Sequence, residues 1–258
     1  MLKLLLVTYV YTKYNTSKEE KKVKKLKNTI IFLSMFLFIF CITQVNATEV
    51  HAKKATYTTK TEKAEYKDKN GRVRGIVSYQ YPQFKGTSQN IKNINKAIKK
   101  KCDAYMKSDT AKSLKEYTET SIKNNGFYDK NEKYYYTTKC KVTYNKNNII
   151  SVSMTWECYF GGVINDGTYG FNYNLKTGKK LTYKDVISGN AKSKIYKAAK
   201  TFFKDYDADM KKTALKNIQN KKSYDFYFKP NKVYICFPSY ELELGTASQQ
   251  IAVAGKYK

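Results

Sequence analysis

Apolar and polar residues alternate along this chain with two different periods, and the switches between them mark its elements. In residues 55–82, Val73, Val77, Tyr79 and Tyr81 recur on one face while Arg72, Arg74, Ser78 and Gln80 fall between them. That alternation predicts two strands broken at Asn70-Gly71, the second ending at Pro82. After Ser88 the period lengthens, and Ile91, Ile94, Ile98, Cys102 and Tyr105 recur at three- and four-residue spacing, which predicts a helix with Cys102 on its buried face. A fainter helical pattern covers residues 109–123. Tyr136, Thr138, Cys140, Val142 and Tyr144 then alternate, and beyond Asn147-Asn148 so do Ile150, Val152, Met154, Trp156 and Cys158. This predicts a hairpin with an apolar inner face, pairing Tyr144 with Ile150 and Cys140 with Met154.

A third strand at 168–175 closes in the turn Lys176-Thr177-Gly178-Lys179. Helices follow at 191–206, with Ile195, Ala199, Phe202 and Tyr206 on one side, and at 208–219. Strands near 224–229, 232–238 and 249–257 end the chain. Strands and helices are grouped rather than strictly alternating, so the class is α+β, with mostly antiparallel sheets packed by helices. The glycine-rich stretch Gly161–Gly167 divides the chain naturally into modules 53–162 and 163–258.

Residues 1–52 read as a targeting segment. Lys21, Lys22, Lys24, Lys25 and Lys27 precede the apolar run Ile30–Ile42, and Val45-Asn46-Ala47 and Val50-His51-Ala52 offer small-x-Ala cleavage sites. The run is short for a membrane span, so the expectation is a cleaved signal peptide, with an uncleaved signal anchor as the alternative and the only membrane attachment. Translation starting near Val23 or Leu26 is a further reading of this region. Cleavage after Ala52 removes the single histidine, His51, and with it any Ser-His-Asp triad or histidine metal site.

The whole chain carries a formal charge of +28, and loss of residues 1–52, with eight Lys and three Glu, leaves +23. A basic exported protein meets anionic wall polymers, lipid head groups or nucleic acid. Nucleic acid is not expected, since no recognised binding motif is present. Codon bias towards Lys, Asn, Tyr and Ile explains part of this composition, and a solvated surface without one partner is the competing explanation of the charge.

Tyr81-Pro82-Gln83 with Asn90 and Ile94-Asn95, then Gly161-Gly162, then the run from Phe171 to Thr182 (FNYNLKTGKKLT), then Val233–Phe237 with Tyr240-Glu241, together resemble the PdaC/RsiV-like family. The resemblance implies a PdaC-type N-terminal module followed by an RsiV-type C-terminal module, lying outside the cytoplasmic membrane of a Gram-positive bacterium. In PdaC such a module precedes a polysaccharide deacetylase domain, and in RsiV it is the exported part of an anti-sigma factor that binds lysozyme. The chain has no deacetylase-type Asp-Asp and His metal motif, and Val163-Ile164 stand where the family commonly has Ala-His.

Asp166, Tyr169, Tyr240 and Glu241 are the candidate ligand-binding residues, because the Gly161–Gly170 loop is glycine-rich and two carboxylates brought together can act as acid and base. The competing explanation is turn chemistry at the glycines and the end of a strand at Tyr240. Cys102, Cys140, Cys158 and Cys236 remain after processing, an even number that allows two disulfides, with Cys102 to Cys140 or Cys158 the favoured bridge, or four buried thiols. No C-x-x-C pair supports a zinc site.

The expectation is therefore an exported, non-catalytic binding module of the cell envelope, without a cofactor or metal, recognising an anionic wall polymer or an envelope protein. The alternatives are a wall-glycan-modifying enzyme or deacetylase accessory that uses Asp166 and Glu241, and a lysozyme-binding sensor. Long-range repulsion between a +23 chain and a basic lysozyme disfavours the last.

Overall fold

The computed structural model describes residues 54–257, which lie in one compact unit spanning 52–258. The expected signal segment lies outside the described residues. Among the described residues, eight strands and five helices fall into groups, and the class is α+β. Strands β1 (Tyr57–Lys67), β2 (Val73–Phe84), β3 (Tyr134–Lys146), β4 (Ile149–Tyr159) and β5 (Asn165–Asn174) form a five-stranded sheet in that order. Strands β6 (Asp225–Lys229), β7 (Lys232–Phe237) and β8 (Gln249–Ala254) form a three-stranded sheet. Every pairing is antiparallel except β2 with β3, which run parallel from Gly75 to Tyr79. The expected module boundary at 162/163 falls in the loop joining β4 and β5, two paired strands of one sheet.

The parallel pair needs a long crossover, which α1 (Gln89–Met106) and α2 (Asp109–Lys123) supply. Both helices start at serines. Ser88 Oγ accepts from the Ile91 amide and Ser108 Oγ from the Ala111 amide, satisfying donors that the first turn leaves free. Ile94, Ile98 and Cys102 of α1 are buried with Tyr79 and Tyr81 of β2, Ile150, Val152 and Met154 of β4, and Phe171 and Tyr173 of β5. Each such side chain contributes about 1.5–3 kcal/mol by leaving water.

Helices α3 (Tyr183–Val186), α4 (Ala191–Phe202) and α5 (Ala208–Asn220) belong with the smaller sheet. Ile195, Ala199, Ala214, Leu215 and Ile218 share a second core with Ile235, Phe237, Ile251 and Val253. The helix expected to reach Tyr206 ends at Phe202, with Phe203 turned into this core.

The two sheets meet through polar groups on β3, β4 and β5. Ser151 and Asn172 are buried on the face opposite Ile150 and Phe171. Asn172 Nδ2 donates to the Phe226 carbonyl at 2.7 Å, and the Phe228 amide donates to Ser151 Oγ at 2.8 Å. Thr143 Oγ1 donates to the Phe228 carbonyl at 2.8 Å. The outward backbone groups of β6 are thus taken up by side chains of the larger sheet. Gly170 permits the approach, since a Cβ there would lie 1.7 Å from the Phe226 oxygen.

Three local expectations are corrected. The hairpin turns at Asn147-Asn148, both at positive φ as a two-residue turn requires, but Tyr144 pairs with Ser151 rather than Ile150. A bulge between Val142 and Tyr144 shifts the register there, while Cys140 still opposes Met154. Strand β2 passes through Pro82 to Phe84; β3 pairs with β2 only along Gly75–Tyr79, so Pro82 has an open side for its missing N–H. Arg74, read as a solvent-facing position, is buried, with Nη1 donating to the carbonyls of Asp129, Lys130 and Glu132 and its guanidinium 4.6 Å from the Phe127 ring centroid.

Candidate functional site

The four candidate residues do not assemble one site. Asp166, at the start of β5, fastens the loop after β7. Its Oδ1 accepts from the Ser248 amide at 3.1 Å and its Oδ2 from the Ser248 hydroxyl at 2.7 Å. Ser239 closes the same junction: its amide donates to the Asp166 carbonyl at 3.0 Å, and its Oγ accepts from the Asp166 amide at 2.9 Å. Glu241 instead pairs with Lys221. Each carboxylate is held by its own partners, and no Asp166–Glu241 acid–base couple forms.

Tyr169 points towards α1, into a cluster of rings. Its hydroxyl lies 2.8 Å from that of Tyr79, and burial pushes both phenols well above their usual range. Tyr79 packs on Tyr105 at 4.9 Å between centroids, and Tyr105 stacks on Tyr136 at 4.0 Å. A phenol so held serves packing rather than proton transfer.

Tyr240 is the member of the four that reaches a ligand-sized opening. Its φ of +66° turns the backbone sharply, its amide donates to the Gly245 carbonyl at 2.8 Å, and its side chain is exposed. It lines a cleft of about 700 Å³ together with Tyr136, Trp156, Phe160, Val163 and Asn165. Trp156, the only tryptophan, presents its edge to Tyr136 at 6.4 Å and lies opposite Gly167 in the β4–β5 pairing. A Cβ at Gly167 would sit 2.6 Å from the indole nitrogen, so glycine makes room for the ring. Asn165, which lines the cleft, has a buried Oδ1 without a hydrogen-bond partner among the described residues.

Sequence reasoning placed Trp156 on the inner face of the hairpin and overlooked Phe160 and Val163. The signal was present: aromatic residues persist at Trp156, Tyr159 and Phe160 where the strand meets the glycine-rich loop. Exposed Val163 and Ile164 beside them are unusual for a solvent loop.

A second cleft, of about 550 Å³, lies where β5, the segment 180–184 and the approach to β6 converge. Lys180, Lys184, Lys221 and Lys222 line it with Tyr183, Tyr224 and Glu241.

Cys102, Cys140, Cys158 and Cys236 are free thiols, and the bridge from Cys102 to Cys140 or Cys158 is not formed. Burial pushes the thiols of Cys102 and Cys236 up to about 12 and that of Cys140 up to about 11. Glu62, Cys102 and Asp103 bring three metal-type ligand atoms together. Lys99 already bonds to both carboxylates there, and a thiol held protonated is a poor ligand, so these residues do not fit a metal ion.

The model of the family described as deacetylase PdaC matches residues 67–163, which carry β2, α1, α2, β3 and β4. A crystal structure of a DUF3298-family protein from Bacteroides fragilis is similar at 13% identity over 78% of this chain and 92% of that chain, with a TM-score of 0.50. A DUF3298-family protein from Pseudomonas aeruginosa is similar at 14% identity over 77% of this chain and 91% of that one, with a TM-score of 0.48. Identity this low makes the first a likeness of fold. No curated protein matches the chain.

Proposed function

We propose that this chain is an exported, non-catalytic binding module of the bacterial cell envelope, and that it takes a wall glycan in the Trp156 cleft. The observation that carries the reading is the lining itself. Tyr136, Trp156, Phe160 and Tyr240 offer aromatic faces and edges, while Asn165 and Ser239 place polar groups among them. Such a mixture suits a sugar ring, which has apolar C–H faces and a rim of hydroxyls. Asn165 adds a buried Oδ1 that has no hydrogen-bond partner among the described residues.

Three features support the envelope setting: the basic-then-apolar pattern before Ala52, the excess of lysine, and the PdaC-family match over 67–163. Among the described residues no helix is long and apolar enough to cross a membrane. The carboxylates of the enzymatic alternative are occupied in holding the fold, which favours binding over hydrolysis.

Titration of the full chain with soluble peptidoglycan fragments, followed by the emission of the lone Trp156, tests the reading. A saturable change that persists at high salt, and weakens at least about fivefold in Tyr240→Ala, is expected. No change up to millimolar fragment would reject the glycan and direct the search to a protein partner.

A further inference from the structure

We propose that the lysine-lined cleft is a second binding site, specific for a phosphodiester-linked polyol or sugar chain. It goes beyond the Trp156 cleft, which it does not require. Four ammonium groups, those of Lys180, Lys184, Lys221 and Lys222, line one concavity. Lys221 is neutralised by Glu241 and rests over the Phe237 ring. Among the described residues, Lys180, Lys184 and Lys222 form no salt bridge with any carboxylate, although Asp225 lines the same cleft and Lys179 nearby is paired with Asp185. Three like charges facing one cleft repel one another, and a concave, partly apolar wall focuses their field outward onto whatever enters.

A further group lacks a partner. Tyr183 is 5% exposed, its ring meets Tyr224 edge-on at 5.1 Å, and its hydroxyl has no hydrogen-bond partner. A buried O–H without a partner is costly, and a ligand that enters deeply enough to offer it an acceptor satisfies it.

The charges identify the class of ligand. Lysine binds phosphate as a mobile point charge rather than through a planar fork, so three of them suit successive monoanionic diesters better than one bidentate carboxylate. Leu181, Tyr183, Tyr224 and Phe226 supply an apolar floor for the carbon chain between the phosphates.

The test titrates the full chain with a soluble glycerol-phosphate oligomer by calorimetry and, in a parallel arm, with phosphatidylglycerol vesicles. The triple variant Lys180→Gln/Lys184→Gln/Lys222→Gln is compared with Lys85→Gln/Lys96→Gln/Lys100→Gln, which removes the same charge from exposed positions elsewhere. A loss of about tenfold or more in the first triple, against less than about threefold in the second, is expected. Tyr183→Phe keeps the ring and its packing, and is expected to weaken binding about threefold with an unchanged unfolding midpoint. Binding to the oligomer assigns the site to a wall polymer, and binding to vesicles alone assigns it to a lipid head group, provided the first triple abolishes it. Equal losses in the two triples, or no binding in either arm, overturn the site. The glycan titration of Trp156 is a separate measurement, so either site can fail while the other stands.

Discussion

Ser151 Oγ donates to Asn172 Oδ1 at 2.6 Å, and through this contact two neighbouring strands of the larger sheet act together on a strand of the smaller one. Ser151 also accepts from the Phe228 amide, and Asn172 donates to the Phe226 carbonyl. Ser151→Ala leaves a buried amide and a buried carbonyl oxygen without partners, for an expected loss of about 1–3 kcal/mol in urea unfolding. Asn172→Ala is expected to cost at least as much. The double variant should lose clearly less than the sum, because each change disables the same three-strand contact. Strict additivity would show that the two residues act independently.

Gly170→Ala is expected to destabilise by about 2–4 kcal/mol, because the methyl group collides with backbone rather than with a side chain that can turn away. Gly162→Ala is its control, having no neighbour within 4 Å and no positive φ. Its unfolding midpoint should match that of the parent.

Asp68 ties the β1–β2 turn to Arg74. Oδ1 accepts from the amides of Asn70 and Arg72 at 2.9 and 3.0 Å, and Oδ2 from the Nε atoms of Arg72 and Arg74 at 2.9 and 3.1 Å. Burial acts against its charge, but these donors outweigh it and hold the carboxyl down at about 2, from an ordinary 3.8. A depressed carboxyl contributes stability that is complete above its unfolded value and is lost as pH falls towards its folded one. Melting followed from pH 5 to pH 2 should therefore show a loss below about pH 4 that is shallower in Asp68→Asn. Parallel curves for the two proteins would remove Asp68 as the cause.

The thiols offer a test of packing. Cys102 and Cys236 are buried and strongly protonated, so a thiol reagent at pH 8 should leave both unmodified in the native state and modify both in urea. Peptide mapping reads each position separately. Rapid native labelling of Cys236 would mean that the smaller sheet opens readily.

Asp166→Ala removes the acceptor for Ser248 and loosens the loop that carries Tyr240. The expected signature is faster amide exchange at Ser239 and Ser248, with the rest of the fold protected as before. Weaker binding in the Trp156 cleft should accompany it, although Asp166 does not line that cleft.

Local order was legible in the sequence wherever one element determines it. Ser88 begins the first helix, the pattern over 109–123 is α2, and Asn147-Asn148 turns the hairpin. These depend on capping, periodicity and backbone conformation, which neighbouring residues set. The bulge at Thr143 was not legible, because its reason lies at Phe228, 85 residues away. For the same reason Arg74 looked like a solvent-facing position of an alternating strand, and nothing singled out Ser151 or Asn172. Their burial depends on partners from other elements, and a polar residue carries no mark of having one.

Of the four candidate residues, Tyr240 reaches the Trp156 cleft. Asp166, chosen as chemistry, proves to be a fastening, and Tyr169 packs, partly buried, against the core. Charge along a sequence does not reveal convergence, so the lysines at 180, 184 and 222 could not be told from the many others.

The docking of β6 has a consequence for the protein at high concentration. An unpaired strand edge is a template on which another chain can add, and the groups that would receive it at Phe226 and Phe228 are already bound within the molecule. One edge of the larger sheet is β1, and Lys60, Glu62, Lys63, Glu65 and Lys67 stud it with alternating charges that a second strand would have to desolvate. Both features work against strand addition between crowded copies at these two edges.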